Sequence, residues 1–438
     1  MRNDIQAQLA KATRGAGAWS CVVLAEDGRQ LYDDRGDAAV TPASVQKLII
    51  AASAMHTLGS TYRFPTLLAS ESAPQSGVLA GDLWLVGSGD PSLVSNDLRG
   101  GVKQLAQQGI RSITGSVAVD ARSLSGPEYN PLWNADDANE DYAAAISGIS
   151  LDQDTVEFHI DGAAAGEPAQ IHLEPPNGAV SYTGSVRTVA STSYSTVIVA
   201  AAEAPNLFLV SGQIPAGDRE VFYIPIRQVP RYVGSVLQRM LRDRGIASDR
   251  SPRIGRAPIQ TQLLWEHRSR PLHDLVRKML FESNNHFADQ LLRVVGARAS
   301  GLGGDRSGLR AEREYLQTLG VPAPGLHIVD GSGLSDDNRI ASITLARLLF
   351  KLNQLADGNP IYRLLPRGGQ DGTIRNYRFG AALGRVRAKS GHITGVESLA
   401  GYVNTRRHGR LIFAFIINGS PGDPDNALVS AVDRLAEF

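Results

Sequence analysis

The sequence predicts an α/β (α+β) fold in which helices flank an antiparallel sheet and a β-rich region is inserted into the chain. Candidate strands lie near both ends of the 438 residues and enclose a helical middle, so the termini are expected to be neighbours in one sheet. Gly, Ser, Pro and short β segments dominate residues 66–264. Because the chain is too long for one ordinary core, we predict a body formed by residues 1–65 and 265–438, with 66–264 as one or two small inserted domains.

The first 65 residues predict a helix, a hairpin and a second helix. Residues 1–18 are expected to form a short polar helix with a Gly-rich exit. Residues 19–24 and 30–32 are strand-like, and the Asp-Gly pair between them is a strong hairpin signal. Pro42 suits the first turn of the next helix because its missing N–H would have no partner there, and Gly59 is a natural end.

The inserted region predicts mainly short strands. Residues 83–86 resemble a strand, and the Gly-Ser-Gly that follows is interpreted as a tight turn, because no Lys-Ser/Thr pair follows as in a phosphate loop. Apolar spacing predicts helices at 97–108 and, just after Pro230, at 231–245. The further strands expected in this region are 155–160, 171–173, 195–201 and 206–210.

Helical patterns return after residue 270 and give way to strands near the C-terminus. The predicted helices are 272–280, 286–295 and 342–355. The predicted strands are 384–393, 398–404 and 410–418, followed by a closing amphipathic helix at 426–435. These last strands, together with the N-terminal hairpin, are expected to form the antiparallel sheet.

Composition excludes several classes of protein. Lys+Arg and Asp+Glu balance at 44 each, so no nucleic-acid partner is expected. The longest apolar runs are far shorter than a membrane span, and the first residues lack a hydrophobic signal core, as expected for a cytosolic protein or a mature form with an added methionine. The single cysteine, Cys21, excludes an internal disulfide, and the nine histidines form no zincin motif, so no metal or cofactor is predicted.

The first motif with chemical content is Ser-x-x-Lys, formed by Ser44 and Lys47. Residues three apart share one face of a helix, so the Lys47 amine would reach the Ser44 hydroxyl and, if neutral, could take its proton. The motif alone is weak evidence, because a buried Ser beside a Lys occurs by chance in many helices.

Two further motifs follow in order, Ser283-Asn284-Asn285 between two predicted helices and Lys389-Ser390-Gly391 at the end of a predicted strand. Alone, the first could be an ordinary helix cap, and Lys389 could be a solubilising charge at a strand edge. Together with Ser-x-x-Lys they form the set found in penicillin-binding proteins and class A β-lactamases. Their order and their placement on helix, loop and strand make coincidence improbable.

The chain resembles the low-molecular-mass class C penicillin-binding proteins, the D-alanyl-D-alanine carboxypeptidase/endopeptidase family, with the penicillin-binding/β-lactamase-like fold. Ser283 follows Ser44 by 239 residues, which matches this family because it carries extra domains there, whereas β-lactamases have far shorter spacings. The stretches that carry the resemblance include the three motifs, residues 83–93 (LWLVGSGDPSL), residues 330–335 (DGSGLS) and residues 399–402 (LAGY).

The resemblance implies a serine peptidase that acts on the peptide bond between two D-alanines. Ser44 would be the nucleophile and Lys47 its proton acceptor, with burial and a second cation, Lys389, favouring the neutral amine. Ser283 would relay the proton to the leaving amine. Asn285 would hydrogen-bond the substrate amide and help to hold Lys47, and Lys389 would supply positive potential.

The resemblance also implies which residues bind the substrate. Ser390, Gly391 and His392 are assigned to it, and the backbone N–H groups of Ser44 and His392 would form the oxyanion hole. Ser390 and His392 depart from the family pattern, since Thr is commoner at the first position and Thr or Ser is usual at the second, where it helps to hold the terminal carboxylate. Asp137, in an acidic run that otherwise predicts a solvated loop, is our candidate to meet the amine of a peptidoglycan diamino acid.

The expected partners are peptidoglycan peptides and β-lactam antibiotics, and the expected location is the periplasm or another extracytoplasmic compartment. A homo-oligomeric state stays open. Two alternative functions remain at this stage: a β-lactamase or related esterase, and a cell-wall-binding module without catalysis. In the family, Glu is usual where this chain has Asp289, a change expected to have no catalytic effect. We interpret Asp330 as a structural residue that organises its Gly-rich turn.

Overall fold

A computed structural model describes residues 2–355, 358–419 and 424–438 of the chain. In these residues the α-helices are α1 Arg2–Thr13, α2 Lys47–Leu58, α3 Ser95–Gln107, α4 Val229–Asp243, α5 Leu272–Glu282, α6 Asn285–Ser300, α7 Asp305–Thr318, α8 Ser342–Asn353 and α9 Pro424–Glu437. No helix in this part of the chain combines the length and the apolar character that crossing a membrane requires.

Short strands make up most of the remaining regular structure. They are β1 Ala18–Leu24, β2 Gln30–Asp34, β3 Ala39–Val40, β4 Pro65–Ser70, β5 Val78–Leu79, β6 Leu83–Val86, β7 Ser112–Ile113, β8 Ser116–Asp120, β9 Thr155–Asp161, β10 Gln170–Glu174, β11 Ser181–Gly184, β12 Arg187–Val189, β13 Ile198–Ala201, β14 Leu207–Ser211, β15 Gln213–Pro215, β16 Arg219–Pro225, β17 Arg250–Ile254, β18 Gln262–Arg268, β19 Ile340–Ala341, β20 Val386–Ile393, β21 Val396–Asn404 and β22 Arg410–Asn418.

The chain divides into two compact units. The first contains Met1–Tyr62, Leu132–Asn134 and Arg270–Phe438, and the second contains Arg63–Pro131 and Ala135–Ser269. The sequence prediction assigns all of 66–264 to the insertion. In the structure, residues 132–134 pack with the first unit instead. The functional division into domains stays a prediction.

The first unit is built on an antiparallel sheet with the strand order β2-β1-β22-β21-β20. Cys21 and Val23 pack with apolar residues of α1 and α9 on one face, and Ser20, on the opposite face, bonds with Ser342 at the start of α8. Because helices cover both faces, all residues from 411 to 417 are buried, which explains their unbroken apolar run. The predicted antiparallel sheet with neighbouring termini and flanking helices is confirmed.

The second unit contains a mixed five-stranded sheet, β17-β8-β6-β4-β18, and several smaller sheets. Strand β8 runs parallel to β6 and to β17, while β4 and β18 pair antiparallel at the start and the end of the unit. Helices α3 and α4 contribute to one shared apolar core with these strands. The β-rich insertion is therefore confirmed as a β-rich unit that also has two helices.

Helix α7 is absent from our sequence prediction because its sequence, DRSGLRAEREYLQT, is mostly polar. It packs on α6 through small residues. A Cβ atom on Gly308 would lie 2.2 Å from the Leu292 carbonyl oxygen, and one on Gly296 would lie 2.4 Å from Ser307 Oγ. Close contact at these glycines, rather than a broad apolar stripe, stabilises α7 against α6.

Candidate active site

Ser44 lies on a short 3-10 turn, Ala43–Gln46, that leads directly into helix α2. The sequence predicts a continuous helix from Pro42, so the tighter turn is a correction. In a 3-10 turn the side chains at i and i+3 eclipse, which places Lys47 over Ser44. The turn begins at Ala43, whose φ of 51° is left-handed and costs on the order of 1–3 kcal/mol. Such strained residues are typical of functional sites.

The Lys47 side chain is fully buried and has three polar contacts. Its Nζ atom lies 2.8 Å from Ser44 Oγ, 2.6 Å from Asn285 Oδ1 and 2.7 Å from the Ser332 carbonyl oxygen. An ammonium group can donate all three of these hydrogen bonds. A neutral amine can donate two and accept the third from the Ser44 hydroxyl, so deprotonation requires no rearrangement.

Burial lowers the pKa of Lys47 from 10.5 to about 7, against the opposing effect of Asp289 and Asp330. A substantial fraction of the amine is therefore neutral near pH 7. The sequence predicts that both burial and the charge of Lys389 favour the neutral amine of Lys47. In the structure, burial is the largest cause of the lowered pKa of Lys47. Burial and then the charge of Lys47 lower the pKa of Lys389 well below its usual value.

The segment Ser283-Asn284-Asn285 joins α5 to α6, and its middle residue provides the helix cap. Asn284 Oδ1 accepts a hydrogen bond of 3.0 Å from the backbone N–H of Phe287. Ser283 has a left-handed φ of 59°, which reverses the chain between the helices. The capping function thus falls on Asn284, while Asn285 contacts Lys47 and Ser283 contacts Lys389.

Lys389 lies on β20, the edge strand of the sheet, and its side chain is fully buried. Its Nζ atom donates a hydrogen bond of 2.9 Å to Ser283 Oγ and another to the Ser390 carbonyl oxygen. A fully buried amine in this position is not the solubilising edge charge that the alternative interpretation requires. Lys389 instead connects the strand to the loop between α5 and α6.

Gly391 allows β20 to run against the Ser44 turn. A Cβ atom at this position would lie 2.7 Å from the Ser44 backbone nitrogen and 3.0 Å from that of Val45, so only glycine fits. Ser398, on β21, donates a hydrogen bond of 2.7 Å to the Pro42 carbonyl oxygen and fixes the same approach. The backbone of β20 and the N–H of Ser44 are thereby held close together.

Asp330 organises the turn that holds the Ser332 carbonyl oxygen against Lys47. Its buried carboxylate accepts hydrogen bonds of 2.8–3.1 Å from the Gly333 and Ser335 backbone N–H groups and from the side chains of Asn338, Trp133 and Gln46. Gly333 then contacts the Ser44 turn, since a Cβ there would lie 2.1 Å from the Ala43 carbonyl oxygen. The interpretation of Asp330 as a structural residue is confirmed.

The sequence interpretation missed the electrostatic contribution of Asp289. This residue is buried on α6, and its Oδ1 atom accepts a hydrogen bond of 2.7 Å from the Gly331 N–H. Burial and then Asp330 raise its pKa to about 8. The charge of Asp289 raises the pKa of Lys47. The expectation that Asp289 has no catalytic effect can therefore be tested. Its place one helical turn after Asn285 is the sequence feature that could have identified it.

The predicted substrate-binding residues lie on two separate units. Ser390 and His392 alternate with Gly391 on β20 and therefore share one face of the strand. Ser390 Oγ lies 2.7 Å from Thr373 Oγ, and His392 Nδ1 contacts Glu397. Asp137 belongs to the second unit, in a 3-10 turn, where its carboxylate accepts a hydrogen bond of 2.8 Å from the Tyr142 hydroxyl. Its role stays a prediction.

Comparisons with known proteins agree with the family resemblance. The family model for D-Ala-D-Ala carboxypeptidase 3 (S13) matches residues 1–437. A D-alanyl-D-alanine carboxypeptidase of Actinomadura sp. strain R39 is 31% identical, in an alignment that covers 100% of this chain and 85% of that protein. The D-alanyl-D-alanine carboxypeptidase DacB of Haemophilus influenzae is 29% identical, over 90% of this chain and 84% of the relative.

A solved structure supports the same relationship. The crystal structure of penicillin-binding protein 4 (DacB) from Haemophilus influenzae superposes with a TM-score of 0.85 at 27% identity, covering 99% of this chain and 98% of that one. A second structure of that protein, in complex with a β-lactam, superposes with a TM-score of 0.81. With the family model matched over almost its whole length, the chain belongs to the D-Ala-D-Ala carboxypeptidase 3 (S13) family.

Proposed function

We propose that the protein is a serine-type DD-peptidase that cleaves D-Ala-D-Ala, and D-Ala–diamino-acid cross-links, in peptidoglycan peptides. One observation carries the proposal: the buried Lys47 amine lies within hydrogen-bond distance of both Ser44 Oγ and Asn285 Oδ1. The relatives are named as carboxypeptidases, and the family match covers almost the whole chain. We also propose an extracytoplasmic location, because peptidoglycan is assembled outside the cytoplasmic membrane.

Acylation begins with the attack of Ser44 Oγ on the carbonyl carbon between the two D-alanines. The hydroxyl proton passes to the neutral Lys47 amine over the 2.8 Å contact, and a C–O bond forms. The backbone N–H groups of Ser44 and His392 stabilise the oxyanion. As the C–N bond breaks, the proton returns by way of Ser283 to the leaving amine, which departs as the free amino acid.

Hydrolysis of the acyl-enzyme completes the reaction. A water molecule attacks the ester carbonyl, and Lys47 accepts its proton. The C–O bond to Ser44 breaks, and the proton returns to Ser44 Oγ. One water molecule is consumed, and the enzyme regains its starting state. A β-lactam would acylate Ser44 in the same way, and the resulting ester would hydrolyse slowly, so the enzyme would be inhibited. The crystal structure of the Haemophilus relative in complex with a β-lactam supports this proposal.

Labelling with fluorescent penicillin tests the proposal. The wild type is expected to become covalently labelled and to release D-alanine from pentapeptide muropeptides, detected by mass. Ser44→Ala should lose both activities while its circular dichroism stays unchanged. Unchanged labelling of the Ser44→Ala variant would contradict the mechanism. Rapid turnover of a chromogenic β-lactam, in place of slow trapping, would instead favour the β-lactamase alternative.

A further inference from the structure

A cluster of titratable groups lies beside the end of β20, and the proposed reaction does not use most of it. We call it the His392 cluster, formed by His392, Glu397, Asp425 and Tyr377. His392 and Glu397 are direct partners across β20 and β21, and the imidazole Nδ1 contacts the Glu397 carboxylate. The His392 side chain is 74% exposed, whereas that of Glu397 is only 12% exposed. A buried carboxylate thus orients an exposed imidazole.

The second oxygen of Glu397, which does not contact the imidazole, is buried. Within the described residues it has no hydrogen-bond donor. Its neighbour is Asp425, in the first turn of α9, whose Oδ1 atom accepts a hydrogen bond of 3.1 Å from the Tyr377 hydroxyl. No Lys or Arg in the described part of the chain forms an ion pair with either carboxylate. Two neighbouring carboxyl groups in such a setting favour a shared proton.

The electrostatics of Glu397 agree with this geometry. Burial, and then the charge of Asp425, raise its pKa to about 7. Burial and Asp425 also raise the pKa of Tyr377, which therefore stays a neutral hydrogen-bond donor. Below about pH 7 Glu397 therefore keeps its proton, and above that pH it adds a negative charge beside that of Asp425.

The position of the cluster determines what it can affect. His392 shares a strand face with Ser390 and directly follows Gly391, whose backbone lies against the Ser44 turn. A group bound along β20 beyond the scissile bond would therefore meet the His392 imidazole. In the proposed function that group is the leaving amino acid with its α-carboxylate, to which the imidazole can donate a hydrogen bond and which an excess of carboxylate charge repels.

We propose that Glu397 is a positioning residue for His392. The Glu397–Asp425 pair, by keeping or losing its shared proton, then sets how strongly the site prefers a leaving amino acid with a free carboxylate over one with a carboxamide. The inference rests on the proposed DD-peptidase function and deepens it. It assigns to Glu397 and Asp425 a role in specificity that the three sequence motifs do not contain.

The test compares two acyl-donor peptides that end in D-Ala-D-Ala and in D-Ala-D-alaninamide. The ratio of their kcat/KM values is measured at pH 6 and pH 8.5. In the wild type we expect the ratio to fall about tenfold at the higher pH, through a rise in KM for the acid, because a negative charge develops near its carboxylate. The ratio removes the pH dependence of Lys47, which both peptides share.

The variants separate charge from structure. Glu397→Gln keeps an oxygen that can accept from His392 Nδ1 but cannot titrate, so its ratio should fall clearly less than that of the wild type between pH 6 and pH 8.5. In Asp425→Asn the loss of the neighbouring charge lowers the pKa of Glu397, so the fall in the ratio should move to lower pH. Glu437→Gln, an exposed change on α9, is the matched control and should follow the wild type.

Two results would overturn the inference alone: a wild type that cleaves both peptides with a pH-independent ratio, or a Glu397→Gln variant whose ratio falls as in the wild type. A wild type that is labelled by penicillin but cleaves neither peptide would overturn the proposed peptidase function, and this inference with it.

Discussion

Lowering the pH should switch off acylation by protonating Lys47, and the structure gives the magnitude. With a pKa of about 7, roughly half of the Lys47 amine is neutral at pH 7 and about 1% at pH 5. Acylation at pH 5 should therefore be about 50-fold slower than at pH 7, with a plateau above about pH 8. At the ordinary value of 10.5, only about 1 amine in 3,000 would be neutral at pH 7. The net shift, in which burial outweighs the opposing charges of Asp289 and Asp330, corresponds to roughly 5 kcal/mol in favour of the amine.

Stopped-flow fluorescence with a saturating fluorescent penicillin would measure this dependence from pH 5 to pH 9.5. Saturation removes the contribution of β-lactam binding, so the limiting rate reports the acylation step. Lys47→Arg is the control, because its guanidinium cannot be deprotonated, and it should be slower by roughly 10²–10⁴-fold. A limiting rate that rises tenfold per pH unit up to pH 9, or one that is constant below pH 7, would refute Lys47 as a base activated by burial.

Two substitutions test the surroundings of this pair. Asp289→Asn removes a charge that favours the ammonium form of Lys47, and because the pKa of Asp289 is raised to about 8, that charge is present mainly above pH 7; the variant should therefore reach the acylation plateau at a lower pH than the wild type, while Asp289→Glu should keep the wild-type profile. An identical profile in the wild type and in Asp289→Asn would exclude the electrostatic effect on Lys47. Gly391→Ala should slow acylation roughly 100-fold, because its Cβ would lie 2.7 Å from the Ser44 nitrogen, whereas Gly100→Ala, in open space on α3, should have wild-type rates. Equal rates in the two alanine variants would contradict the required close approach.

The sequence predicts the first unit well because its signals are local. The Asp-Gly turn, the unbroken apolar run of β22 and the closing amphipathic helix each identify an element without reference to the rest of the chain. The sheet of the second unit was harder to predict. Strands β17 and β18 expose most of their side chains, so they lack the alternation of apolar and polar residues that identifies a strand.

The site shows the same division between local and long-range information. Short motifs predicted all the residues that form the polar contacts of the site, although their catalytic roles stay predictions. These residues are Ser44, Lys47, Asn285, Ser283 and Lys389. Asp289 and Glu397 were not recognised as electrostatic residues, since their effect depends on burial and on partners from distant elements. For Glu397, no sequence pattern indicates how deeply folding buries its carboxylate.

The central claim is that Ser44 is the nucleophile, and peptide mapping of the trapped acyl-enzyme tests it directly. Trypsin releases residues 36–47 as one peptide, in which Ser44 and Thr41 are the only hydroxyl-bearing side chains, while Ser283 falls in the peptide 279–293. After incubation with penicillin, the mass of the adduct should be found on residues 36–47, with fragment ions that locate it at Ser44. An adduct on 279–293, or none on either peptide in a protein that fluorescent penicillin labels, would contradict the account.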